Sequence, residues 1–197
     1  MEKQEYPFSK QYGWVEDRFG VNWQLILTDP AGEPRPKIMP SLSFTKDSYG
    51  KAEEAALFYV SVFKNAKVAT VAKYPAGMPG GTEGTVMFED FTLEDQWFTA
   101  MDAFGEHEFF FNEAVSFSVE TADQTETDYF FEKLSAVKES EQCGWLKDKF
   151  GVSWQIVPRR MGELLSSPDE ERSKKALSAM LTMKKIDIAA LEAAYNA

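Results

Sequence analysis

Residues 144–158, GWLKDKFGVSWQIVP, are a near-copy of residues 13–27, GWVEDRFGVNWQLIL, with eight of the fifteen aligned positions identical. The offset of 131 residues is far longer than a solenoid or propeller repeat and is the size of a compact domain. Each copy carries apolar and aromatic weight on both sides of a D-x-F-G turn, which reads as two short strands joined at Asp17–Gly20 and again at Asp148–Gly151. The second copy has more than a hundred residues before it and the first has twelve. The expectation is that each copy closes a module, and that most of the first module lies outside this chain.

Working outward, residues 1–12 are polar and carry no evident pattern, and residues 28–37, TDPAGEPRPK, hold three prolines and a glycine and read as a linker. From Ile38 the character changes. IMPSLSFT (38–45) reads as a strand. Residues 51–65 place Ala52, Ala55, Ala56, Tyr59, Val62 and Phe63 on one helical stripe, and KVATVAKY (67–74) reads as a strand again. A glycine- and proline-rich loop (75–84) follows, then TVMFEDF and LEDQWFTAMD as two further strands, which completes a β-α-β-β-β unit. A second unit opens with AVSFSVE (114–120), in which Val115, Phe117 and Val119 alternate with Ser116, Ser118 and Glu120. Thr121 and Gln124 form a T-x-x-Q capping box before the helix DQTETDYFFEKLS, and the repeat supplies the closing strands. The tail reads as helical. Ser167 is the N-cap of one helix, with Ala176, Leu177, Met180 and Leu181 as its stripe; Asp187 caps a last helix bearing Ile188, Leu191 and Tyr195. The fold class is therefore α+β. Residues 1–37 form an N-terminal extension with an orphan hairpin and a linker, 38–158 the paired units, and 159–197 a helical tail.

Composition narrows the function classes. With 32 Asp and Glu against 21 Lys and Arg, the chain carries a net charge of −11, which argues against nucleic acid and against an anionic membrane surface. No apolar run reaches membrane-spanning length, and MEKQEYPFSK is not a secretory signal. A single cysteine, Cys143, excludes an internal disulfide and points to a reducing, cytoplasmic setting.

The helix AEEAALFYVSVF (52–63), FNEAVSF (111–117), the helix at 123–135, the closing CGW…SWQIVP (143–158) and MKKIDIAALEAAY (183–195) together resemble the vicinal oxygen chelate superfamily, the glyoxalase and bleomycin-resistance fold. Within it, the chain resembles the PhnB-like, demethylubiquinone methyltransferase-like branch over about residues 38–197. The resemblance implies paired units forming a cupped mixed sheet, and a homodimer. The unpartnered N-terminal hairpin is expected to add to a sheet edge or to exchange onto the partner chain.

Superfamily enzymes usually hold a divalent metal through His and Glu side chains on the first and last strands of each unit. Here those strands offer Ser41 and Ser43, Gln96, Trp97 and Thr99, Ser116 and Ser118, Ser153 and Gln155. Neutral hydroxyls and amides are poor ligands for such an ion, so no metal and no cofactor are expected. Glu94, Asp95 and Glu120 lie near the same strands and would enter the cup in a shifted register. His107 is read as a loop residue with a general base as the alternative, and Cys143 as a small buried residue with a nucleophile as the alternative. Trp97 either packs in the core or lines an aromatic pocket; Gln24 and Gln155 either fix the hairpin backbone or touch a ligand. No catalytic residue is assigned. The ligand-contacting candidates are Phe88, Trp97, Met101, Phe117 and Gln155. The expected function is metal-free binding of a small apolar or aromatic molecule in the cupped sheet. The alternatives are a superfamily-type lyase, dioxygenase or transferase acting on a small oxygen-rich substrate, and an assembly component without a ligand. Methyl transfer finds no doubly wound sheet and no glycine-rich strand-to-helix turn for a nucleoside cofactor.

Overall fold

A computed structural model describes residues 4–6 and 9–197, with side chains described from Ser9 onward. The chain divides into two units, Met1–Phe110 and Phe111–Ala197.

In the first unit, β1 (Gln4–Tyr6), β2 (Ser9–Glu16) and β3 (Asn22–Ile26) form an antiparallel sheet in the order β1-β2-β3. The expected hairpin is present, but it recruits the polar segment before it as a third strand rather than extending another sheet. The second sheet holds β4 (Ser41–Phe44), β5 (Lys67–Lys73), β6 (Val86–Leu93) and β7 (Gln96–Asp102) in the order β4-β7-β6-β5, with β4 parallel to β7 and the other pairs antiparallel. Helix α1 (Ala52–Val62) connects β4 to β5, so the β-α-β-β-β unit is complete. Its stripe of Ala52, Ala55, Ala56, Tyr59 and Val62 is buried, and Tyr59 stacks on Phe91 of β6 at 6.4 Å. Asp102 ties the unit together. Its Oδ1 accepts from the backbone N–H of Gly50 (2.8 Å) and Ala52 (3.2 Å), and its Oδ2 from that of Val86 (2.8 Å). A buried carboxylate at the entry of α1 satisfies orphan donors of the helix and complements its dipole.

The second unit follows the same plan in shortened form. Strand β8 (Ser116–Thr121), helix α2 (Gln124–Leu134), β9 (Trp145–Lys147) and β10 (Ser153–Pro158) give a sheet in the order β8-β10-β9, with β8 parallel to β10. Between α2 and β9 the chain makes a 3-10 turn at Lys138–Ser140 in place of a further strand. Helices α3 (Arg159–Leu165), α4 (Glu170–Met180) and α5 (Ile188–Asn196) pack around Leu164, Ala176, Ile186 and Leu191.

Several local readings are corrected. The N-cap of α2 is Asp123, which accepts from Glu126 N at 2.9 Å. Thr121 is buried and bonds the Thr127 hydroxyl, while Gln124 receives the Ile188 N–H and donates to the Ile186 carbonyl. Asp169 caps α4, and Ser167 bonds Tyr195. Leu177 and Leu181 are exposed, so the α4 stripe narrows to Ala176 and half-buried Met180. Asp187 caps α5 through Ala190 N, as the sequence implied. Glu94 and Asp95, read as strand, are the two positive-φ residues of the β6–β7 turn, the geometry a tight hairpin requires.

The repeated motif is a repeated hydrogen-bond arrangement. Asp148 Oδ1 accepts from Phe150 N (2.8 Å) and Val152 N (3.0 Å), and Trp154 Nε1–H donates to its Oδ2 (2.8 Å). Asp17 repeats each bond: Phe19 N at 2.8 Å, Val21 N at 3.1 Å and Trp23 Nε1 at 3.0 Å. Gly20 and Gly151 supply the positive φ that the turn needs three residues after each aspartate. The three donors hold the Asp17 carboxyl below the usual carboxylate range, with the Trp23 indole as the largest cause. Asp148 is buried and Asp17 is not. Asp148→Ala strands three donors and should cost about 2–4 kcal/mol in chemical denaturation. Asp17→Ala, open to water, should lower the midpoint much less; equal losses would contradict this reading.

Candidate functional site

A cleft of about 740 Å³ opens in the first unit. Its floor is one face of the four-stranded sheet: Ser41 from β4, Phe88 from β6 and Thr99 from β7. Its wall is the N-terminal sheet, through Tyr12 and Gln24, and its rim is the linker from Arg35 to Pro40. The strands dictate this division. Phe88, Asp90 and Thr92 alternate along β6 with Glu89 and Phe91, so one set faces the cleft and the other faces α1.

The polar groups in the cleft form a chain. Tyr12 donates from its hydroxyl to Gln24 Oε1 (3.0 Å), and Gln24 Nε2 donates to Ser41 Oγ (3.0 Å). The Ser41 hydroxyl hydrogen is then the donor this chain offers a bound molecule. In the second unit Gln155 Nε2 donates to Ser116 Oγ at 2.8 Å. The repeated glutamine therefore has one architectural role, joining a closing strand to a serine on an opening strand. Its partner is a side chain and not the hairpin backbone.

The linker closes one end. Arg35 Nε and Nη2 each lie 2.9 Å from Asp90 Oδ2, and the guanidinium sits 3.6 Å over the Trp97 ring. Asp90 Oδ1 also accepts from Thr70 N at 2.8 Å. Both members of the pair are largely buried, and stacking on an indole favours the planar guanidinium. Sequence reasoning passed over Arg35 because a Pro-rich segment carries no periodicity.

The candidate residues separate. Phe88 lines the cleft. Trp97 lies on the same sheet face, but its ring is covered by Arg35, so it anchors the linker. Met101 occupies the same face of β7, opposite Ser43, beyond the cleft lining. Phe117 and Gln155 belong to the second unit; Phe117 packs on Trp154 at 5.3 Å, and Gln155 holds Ser116. His107 Nε2–H donates to Phe104 O (3.1 Å), and its ring stacks on Trp14 and packs against Phe109, which agrees with its reading as a loop residue. Cys143 is half-buried rather than buried, at a positive-φ position with its N–H bonded to Met183 O. The loop at 75–84 joins β5 to β6 and is tied by the Thr82 N–H to the Tyr49 hydroxyl at 3.0 Å. A second concavity, of about 590 Å³ between α2 and α5, is edged by charges already paired, among them Lys185 with Asp128 and Arg160 with Glu192.

The donor set does not fit a divalent transition metal. Among the described residues no group of three or more His, Cys, Asp and Glu side chains converges. The acids that a shifted register could have brought inward are engaged elsewhere: Glu94 accepts from Lys64 N, Asp95 sits in the β6–β7 turn, and Glu120 pairs with Arg159. Hydroxyls and the amides of Asn22 and Gln24 remain in the cleft, and these are weak ligands for such an ion. No described helix is long and apolar enough to cross a membrane.

One strongly perturbed group lies outside the cleft. Glu89 is buried on the α1 side of β6, neither carboxyl oxygen has a hydrogen-bond partner among the described residues, and burial, reinforced by Asp102 and Glu53, pushes it up to about 8.

The sequence profile of the family described as 3-demethylubiquinone-9 3-methyltransferase matches residues 36–157. Among solved structures, the PhnB protein from Bacillus cereus is similar at 37% identity and a TM-score of 0.54, over 62% of this chain and 99% of that one. A protein from Pseudomonas aeruginosa is similar at 17% identity and a TM-score of 0.50, over 63% and 98% of the two chains. No curated protein matches.

Glu89 carries a pH signature. Its raised folded-state pKa means that the neutral form is favoured on folding. Stability is therefore full below the ordinary carboxyl range and falls as pH rises through about 8. Glu89→Gln should flatten that decline and stabilise the protein at pH 8.5 by about 1–3 kcal/mol, read from melting curves between pH 5 and 9. A parallel pH profile in the variant would assign the decline to other groups.

Proposed function

The chain belongs to the 3-demethylubiquinone-9 3-methyltransferase family, and from that premise we propose that it binds a small, neutral, apolar or aromatic molecule in the cleft over β4, β6 and β7 without a metal. The observation that carries this reading is the lining. An aromatic ring at Phe88 and apolar Met39 and Ile38 surround a short relay of neutral donors and acceptors, Tyr12, Gln24 and Ser41. The Arg35–Asp90 pair is satisfied by itself and by Trp97, and Lys37 is the further charged side chain among the residues lining the cleft. A concave apolar surface with a few convergent polar groups is the usual form of a small-molecule site.

The physics sets the ligand class. A ring of phenol size can lie against Phe88, and its oxygen can accept from the Ser41 hydroxyl. Burial of about 200 Å² of apolar ligand surface contributes roughly 5 kcal/mol, and the cost of immobilisation taken from it leaves binding in the millimolar range or weaker. A cationic ligand would have to leave water for a site whose buried carboxylate, Asp90, is already paired with Arg35, which disfavours it.

Titration with a panel of small neutral phenols and aromatic ketones, followed by amide chemical shifts, tests the reading. Saturable shifts at Ser41, Phe88 and Thr99 are expected, with Phe88→Ala weakening affinity about tenfold and a metal chelator leaving it unchanged. Absence of saturable shifts at these three residues would overturn the site. Binding abolished by the chelator and restored by Zn²⁺ or Mn²⁺ would overturn the metal-free mechanism.

A further inference from the structure

The two copies of the motif have the same hydrogen bonds and opposite burial. In the second copy Leu146, Phe150, Val152, Trp154 and Ile156 are 0–6% exposed. Their counterparts in the first copy, Val15, Phe19, Val21, Trp23 and Leu25, are 41–75% exposed. In the second copy α2 lies against β9 and β10 with Thr127, Phe130, Phe131 and Leu134 buried, and α3 also lies against β10. Nothing of the kind covers the first copy among the described residues. By strand alternation Val15, Trp23 and Leu25 share one face of the N-terminal sheet and Tyr12, Gln24 and Ile26 the other, and Val21, Trp23 and Leu25 also reach the edge of the cleft.

We propose that this bare face is a docking surface for an amphipathic helix of another polypeptide, with an apolar stripe of the α2 kind: a small residue, two adjacent aromatics and a leucine at positions i, i+3, i+4 and i+7. The chain's own second copy shows which element fits a sheet of this shape. The side chains offered are close in size and shape at each position, Val for Leu, Phe for Phe, Val for Val, Trp for Trp and Leu for Ile. The Asp17 arrangement holds the turn and the indole in place without the helix, so the surface is built before the partner arrives. Exposed apolar side chains gathered on one face in this way mark an interaction site more often than isolated ones do. Helix-in-groove recognition reads such a face through anchors at i, i+3, i+4 and i+7. This inference rests on the exposed apolar residues of the hairpin and not on the ligand proposed for the cleft, which Val21, Trp23 and Leu25 also border.

The probe is a helix-stapled peptide of residues 122–136 of this chain, bridged between the solvent-facing positions 125 and 129 so that its ordering cost is met before binding. Its fluorescence anisotropy is followed against the full chain. Saturable binding is expected, weakened at least tenfold by Leu25→Glu or Val15→Glu in the protein, and lost when Phe130 and Phe131 of the peptide are both replaced by Ser. Both protein positions are exposed, so circular dichroism of the variants should be unchanged. No saturable binding, or binding indifferent to Leu25→Glu, would overturn the proposal. So would a dimer in sedimentation velocity that Leu25→Glu dissociates while the peptide fails to bind, because a second copy would then be the occupant.

Discussion

The aspartate at the turn of each closing hairpin is the constraint from which the rest follows. One carboxylate receives two backbone N–H groups of the turn and the indole N–H two residues into the returning strand. That fixes three things together: the turn conformation, the register of the two strands, and the side of the sheet on which the tryptophan lies. Register matters because a slip of one residue would exchange the two faces of the strand. With Trp154 set toward α2, Gln155 must face the other way, where it meets Ser116. With Trp23 set outward, Gln24 must face the cleft, where it meets Ser41. The polar relay of the candidate site is in this sense a consequence of an aspartate that lies outside it.

Much of this was legible because it is local or periodic. The D-x-F-G-V-x-W spacing announces a turn with a strand on each side, and its recurrence declares a structural unit. The alanine-rich stripe of α1 is periodic and is buried as that period requires. Caps were less legible. Thr121, Asp123, Ser167 and Asp169 are all chemically competent, and the choice among them is settled by what else each side chain can reach. Thr121 finds Thr127 and Ser167 finds Tyr195, which leaves the aspartates to cap.

The site was legible only in part, for a physical reason. Phe88 could be placed from strand alternation. The role of Trp97 could not, because what decides it is Arg35, more than sixty residues earlier in a segment whose prolines and glycine read as a spacer. A guanidinium that meets a carboxylate and an indole at once is a long-range event. No window of sequence contains the three partners Arg35, Asp90 and Trp97, and the pairing of β6 with β7 is what brings the last two together.

The two hairpins also separate what a short sequence determines from what its surroundings determine. Their hydrogen bonds agree to within 0.2 Å in one buried and one exposed setting. The hairpin geometry is therefore encoded within about a dozen residues and does not wait for a core. Burial is the converse: the same apolar positions are covered in one copy and bare in the other, although their residues are nearly the same. A local code that specifies the face but not its cover has a consequence for stability. Exposed to water, the carboxylate–indole bond competes with hydration and contributes little, while beneath a helix the same bond lacks that competitor and its loss strands three donors. The motif therefore shapes the sheet equally in both places and stabilises it unequally. The difference lies in the apolar surface that a neighbouring helix removes from water.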